Sequence, residues 1–126
     1  MINKFAIAIL IIACVFTGQT NHKEVNYMNI TAQQAKEIMD TEEGYIILDV
    51  RTEEEYAEGH IPNAILIPDY EIAEKAERVL TDKDQQILVY CRSGRRSKLA
   101  AEALVELGYT NIKEFGGIID WPYEVE

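Results

Sequence analysis

The chain is short of cysteine, histidine, positive charge and long apolar runs, and each shortage excludes something. It has two cysteines, Cys14 and Cys91, in 126 residues. Two cannot form a disulfide framework and fall far short of a zinc cluster. His22 and His60 are the only histidines, and neither has a carboxylate–histidine spacing that suggests a metal, so no metal or other cofactor is expected. Twelve lysines and arginines stand against 22 aspartates and glutamates, a formal charge of −10. A body this acidic lacks the basic surface needed to bind nucleic acid or anionic lipid. The longest uncharged apolar run, residues 5–16, is 12 residues, whereas a membrane span needs about 20. No repeat or low-complexity stretch interrupts the chain, and 48% apolar residues suffice to build one folded domain.

The apolar run follows Lys4, which gives the start the form of a secretory signal. Residues 11–14 (Ile-Ile-Ala-Cys) resemble a bacterial lipobox, in which the cysteine becomes the lipidated first residue. Three outcomes stay open: a lipid anchor at Cys14, a cleaved free protein, and an uncleaved anchor. The sequence divides into a signal or anchor (1–20), a linker (21–26) and a folded domain (27–126). The expected location is extracytoplasmic, lipid-anchored or periplasmic, and any membrane attachment is through the N-terminus alone.

In the body, short apolar runs alternate with helical patterns. Strands are expected at 27–30, 45–50, 64–67, 86–90 and 111–115, with the near-continuous apolar run at 45–50 reading as a strand covered on both faces. Helices are expected from Thr31 to about residue 39, from Thr52 to near Gly59, from Asp69 to about Leu80, and from Ser97 to 107. On the third, Ile72, Ala73, Ala76, Val79 and Leu80 read as the inner face; on the fourth, Leu99, Ala100, Ala103, Leu104 and Leu107 do. This alternation predicts a mostly parallel α/β sheet with helices on both faces.

The chemistry concentrates between the best strand and the best helix, in Cys91-Arg92-Ser93-Gly94-Arg95-Arg96-Ser97. Ligands in open α/β sheets bind beyond the carboxyl ends of the strands, where Cys91 falls. Loop N–H groups, a helix N-terminus and a glycine free to take positive φ favour an anion there. Arg92, Arg95, Arg96 and Lys98 place a third of all the basic residues within seven positions. The expected result is a lowered thiol pKa: a thiol at ~8.5 is about 3% thiolate at pH 7, and a fall of two units makes it about 75%.

Cys91 to Arg96 resembles the Cys-x-x-Gly-x-Arg loop of rhodanese-like sulfurtransferases. The Leu48-Asp49-Val50-Arg51, Glu55-Tyr56 and Gly59-His60-Ile61-Pro62-Asn63-Ala64 segments are similar to that family's upstream signature, and Leu107-Gly108-Tyr109 with Gly116-Gly117 and Trp121 to its C-terminal one. Asn63 stands where the family most often has glycine, a change that Asn tolerates at positive φ. The resemblance implies the rhodanese fold, with a five-stranded parallel sheet. It also implies a sulfurtransferase that moves a sulfane sulfur through a Cys91 persulfide, from thiosulfate or a persulfide to a thiol or cyanide. Similar phosphatases and arsenate reductases carry a loop one residue longer, so the six-residue loop favours sulfur. A non-catalytic persulfide carrier or sensor is the alternative reading, and a phosphatase-like or arsenate-reducing enzyme a third.

Within that reading Arg92, Ser93, Gly94, Arg95 and Arg96 form the substrate loop, and Arg92 and Arg95 attract an anionic donor. Arg96 either contacts substrate or braces the loop on a carboxylate, for which Asp49 is the candidate, and Asp49, Arg51 and Ser97 support the loop. Asp49 and Arg51 also have a purely local pairing open to them. His60 reads as a turn residue and Trp121 as a packed anchor. With no second cysteine in the body, the sulfur acceptor must be an external thiol, and a domain this small can act as a monomer.

Overall fold

A computed structural model describes residues 26–126. The signal or anchor at 1–20, Cys14 and nearly all of the linker lie outside the described residues.

Five parallel strands form one sheet in the order β1-β5-β4-β2-β3: β1 Met28–Asn29, β2 Tyr45–Asp49, β3 Ile65–Leu66, β4 Gln86–Cys91 and β5 Ile112–Gly117. The helices are α1 Ala32–Thr41, α2 Glu53–Glu58, α3 Ile72–Val79 and α4 Arg95–Glu106, and a 3-10 turn over Asp69–Glu71 leads into α3. Among the described residues no helix is long and apolar enough to cross a membrane.

The central strand β4 shows why the sheet is covered on both sides. Its side chains alternate between faces with period two. Ile87, Val89 and Cys91 enter a core with Ile72, Ala76, Ala100, Ala101 and Leu104 of α3 and α4. Leu88 and Tyr90 enter the opposite core with Ala35 of α1, Phe115 and Trp121. Capping boxes at Thr31 with Gln34 and at Thr52 with Glu55 start α1 and α2 by satisfying their free N–H groups.

The inner faces of α3 and α4 differ from the periodicity reading. Ala73 and Val79 are exposed, and so is Leu99, at 50%. On α4, Ala100 and Leu104 are buried as expected and Ala103 and Leu107 pack partly buried against the same core, while Ser97 and Ala101 are buried in addition. Trp121 is buried, with its indole N–H donated to the Glu124 carbonyl. Asn63 takes a φ of 71°, the conformation that glycine or asparagine adopts at least cost. The His60 ring stacks on Tyr56 at 3.8 Å, and its backbone exchanges two hydrogen bonds with Glu126, which ties the C-terminus to the turn before β3.

Candidate active site

Cys91 is the last residue of β4 and 1% exposed. The chain must turn sharply after it to start α4 on the sheet face, and Gly94 makes that turn at φ 113° as the N-cap. The turn aims the Gly94 N–H at the cysteine sulfur, 2.9 Å away. A donor at that distance, at the positive end of a 12-residue helix, favours negative charge on the sulfur.

The other wall is β5. Val89 is opposite Glu114, but Cys91 is opposite Gly117, so β5 carries one extra residue beside the cysteine. This bulge bends the end of β5 around the loop. Gly117 lies so close to the loop that a Cβ there would stand 2.0 Å from the Arg92 carbonyl oxygen. The Arg92 carbonyl in turn accepts the Ile119 N–H at 3.2 Å.

Arg96 donates two bonds to the Glu55 carboxylate on α2, at 2.8 and 3.0 Å. Those bonds, helped by the Thr52 cap, hold the Glu55 carboxyl down at about 2 and keep the Arg96 guanidinium above its ordinary value. The carboxylate that braces Arg96 is therefore Glu55 and not Asp49. Asp49 is fully buried and already engaged: Arg51 donates to both its oxygens, and the Tyr90 hydroxyl donates to Oδ2 at 2.5 Å. Arg51 also donates to the Gly59 carbonyl, so the Asp49–Arg51 pair ties the end of β2 to the end of α2. Tyr90 accepts the Ile61 N–H, and burial together with Asp49 pushes its phenol far above the ordinary value, so it stays a neutral donor.

Arg92, Ser93 and Arg95 are exposed around the cysteine, and no hydrogen bond or ion pair is formed by the Arg92 or Arg95 side chain among the described residues. Ser97 is fully buried, with its Oγ 3.3 Å from the cysteine sulfur. Its hydroxyl also reaches Glu114 Oε2 at 2.5 Å. The sequence reading did not single out Glu114 or the role of Glu55. Glu114 had only a weak signal, because Lys113 beside it makes the strand read as two adjacent charges between Ile112 and Phe115. Among the described residues no group of three or more potential metal ligands comes together.

A buried cysteine at the carboxyl end of a central parallel strand, with a loop N–H on its sulfur and arginines beside it that are unpaired among the described residues, places the chain in the parallel α/β class with a site suited to an anionic sulfur. The comparisons with known proteins narrow the class. Residues 31–122 match the model of the rhodanese-like domain, and the chain belongs to that family. It is 41% identical over 73 residues to the thiosulfate sulfurtransferase PspE of Escherichia coli K12, covering 58% of this chain and 70% of that one. A sulfurtransferase of Allochromatium vinosum is 36% identical over 88 residues, 69% of this chain and 79% of that one. The crystal structure of a rhodanese-related protein from Thermoplasma volcanium superposes with a TM-score of 0.69 at 35% identity, covering 79% of this chain and 98% of that one. The activity class is rhodanese-type sulfur transfer.

Proposed function

We propose that the Cys91 thiolate accepts a sulfane sulfur from thiosulfate or a persulfide and passes it to an external thiol or to cyanide. With thiosulfate, the thiolate attacks the outer sulfur, the S–S bond breaks, and sulfite leaves with the bonding pair. The acceptor then attacks the outer sulfur of the Cys91 persulfide, and the Cys91 thiolate is regenerated. Gly94 N–H stabilises the charge on sulfur, while Arg92 and Arg95, exposed and unpaired among the described residues, attract the anionic donor. Residues 26–126 hold no second cysteine, so the acceptor comes from outside the domain.

The observation that carries the reading is the short loop from Cys91 to Arg96 with its N–H on the cysteine sulfur. The name of the relative PspE supports thiosulfate as the donor. We also propose that residues 1–20 direct the chain out of the cytoplasm, supported by the lysine-led apolar run.

The test is incubation of the full chain with thiosulfate, followed by intact mass, then cyanide and a thiocyanate assay. Wild type should gain the mass of one sulfur atom and turn over, and Cys91→Ser should do neither. An adduct without turnover moves the reading to a sulfur carrier. No adduct from thiosulfate or polysulfide, with hydrolysis of an aryl phosphate, sinks sulfur transfer.

A further inference from the structure

We propose that Glu114 takes the Cys91 proton through Ser97, so that the resting site is a thiolate beside a protonated carboxyl. The proposal deepens the sulfur-transfer reading and rests on it for its meaning.

Glu114 is 2% exposed on β5, in the strand next to the cysteine. Its Oε2 accepts the Gly116 N–H at 2.9 Å and the Ser97 hydroxyl at 2.5 Å. Among the described residues no lysine or arginine pairs with it. A buried carboxylate without a cation is a costly way to cap one N–H.

Ser97 has one proton to donate. The neighbouring Gly94 and Gly116 carbonyls are at 3.0 and 3.4 Å, farther than Glu114. With that proton on Glu114's side, the Ser97 lone pairs accept the Cys91 thiol at 3.3 Å. Every donor in the chain then points from sulfur towards carboxylate.

The transfer balances without a co-reactant. The S–H bond breaks and its proton passes to Ser97 Oγ, while the Ser97 proton passes to Glu114 Oε2. The bonding pair stays on sulfur, facing the Gly94 N–H. The net charge of the buried site does not change, which is the least expensive way to form a thiolate away from water. The charged and titratable groups around the pair are the exposed Arg92 and Arg95 of the cysteine loop, Arg96 with its partner Glu55, Asp69 near Arg96, and Tyr27 and Glu102 near Glu114. Arg96 is neutralised by Glu55, and the phenol of Tyr27 is pushed up by burial, then by Glu102 and Glu114, so it carries no charge in the working range.

A thiol and a carboxyl sharing one proton titrate as a pair. Wild type should therefore keep its reactivity towards neutral iodoacetamide well into acid. In the full chain, alkylation is read at Cys91 by peptide mass, which separates it from Cys14. In Glu114→Gln the thiol must lose its proton to solvent, and at about pH 6 alkylation should be at least tenfold slower, rising along a single thiol titration. Faster alkylation in Glu114→Gln would show a mere negative neighbour and overturn the proposal. A profile of unchanged shape, lowered uniformly, would show a merely structural glutamate and overturn it too. A second readout needs no Glu114 variant: the infrared difference between wild type and Cys91→Ser at neutral pH should contain a protonated-carboxyl band. Its absence overturns the proposal even if Glu114→Gln does not fold. Neither readout uses a sulfur donor, so failure of the persulfide test and failure of this one are distinguishable.

Discussion

Gly117→Ala tests whether the end of β5 sets the position of the active-site loop. An alanine Cβ at 117 would stand 2.0 Å from the Arg92 carbonyl oxygen, 2.4 Å from its carbon and 2.5 Å from Ser93 Cα. All three are backbone atoms, so no rotamer change relieves the overlap. Ordinary contact begins at 3.4 Å, and the loop must retreat by more than an ångström. Gly117 itself has φ −128° and ψ 153°, which alanine adopts freely, so the effect is steric and not conformational. Overpacking of this kind costs about 1–3 kcal/mol. The retreat also stretches the bond from Ile119 N–H to the Arg92 carbonyl, worth about 1 kcal/mol. Together these destabilise the fold by about 2–4 kcal/mol.

The functional loss should exceed the stability loss. Arg92 is the residue after Cys91, and displacement near 1 Å at a reacting centre can cost about 10²-fold. Gly116→Ala is the control. Its Cβ would meet nothing within 4 Å, but φ is 91°, so its cost is conformational, about 1–2 kcal/mol. The assay is urea unfolding of both variants beside thiocyanate formation from thiosulfate and cyanide. Gly117→Ala should lose about 10²-fold in turnover while still folded, and Gly116→Ala less than tenfold. Parental turnover and stability in Gly117→Ala would refute the close approach. Equal losses of turnover in the two variants would refute the claim that overlap with Arg92 is the cause.

Two further predictions concern the braces. Glu55 is held by Arg96 at about 2, below its ordinary 4.5, so its contribution is complete above 4.5 and disappears as pH falls through about 2. That shift corresponds to at most about 3 kcal/mol, and with both side chains a quarter exposed screening brings it to about 1–2; urea midpoints of Glu55→Gln should lack this part of the wild-type loss between those pH values. Tyr90→Phe keeps the ring but leaves the buried Ile61 N–H without its partner and Asp49 without one donor. It should destabilise by about 2–3 kcal/mol with an unchanged urea m-value, and full parental stability would show that these bonds contribute nothing.

The parts of the molecule legible in the sequence are those set by short-range pattern. The run 86–90 reads as a strand because four apolar residues, Ile87 to Tyr90, follow one another, and the turn after Cys91 reads from Gly94 and the helix beyond it. A residue within one short loop is placed by the loop. The inner face of α4 was harder, because a 3.6-residue period over a short helix admits neighbouring phases. The structure selects the phase that buries Ser97 and leaves Leu99 half exposed. Ser97 with its polar contacts is buried where Leu99 is not, and hydropathy alone cannot rank those two.

Partner choice across the sheet is a different problem. For Arg96 the sequence offered Asp49 as the partner, whereas the structure supplies Glu55. Asp49 is taken by Arg51 two residues on and by Tyr90 from the adjacent strand, which leaves Glu55 for Arg96. That competition is settled by register between β2 and β4, and nothing within a few residues of Arg96 encodes it. Glu114 carries the same lesson further. Of the two charges between Ile112 and Phe115, Lys113 reaches Gln86, while Glu114 is buried, and a buried charge has to be paired or protonated. With Arg96 and Arg51 both engaged elsewhere, the group that reaches Glu114 is a serine hydroxyl, which brings no positive charge. The remaining way to lower the charge of that carboxylate is a proton, and the sulfur on the far side of Ser97 holds one.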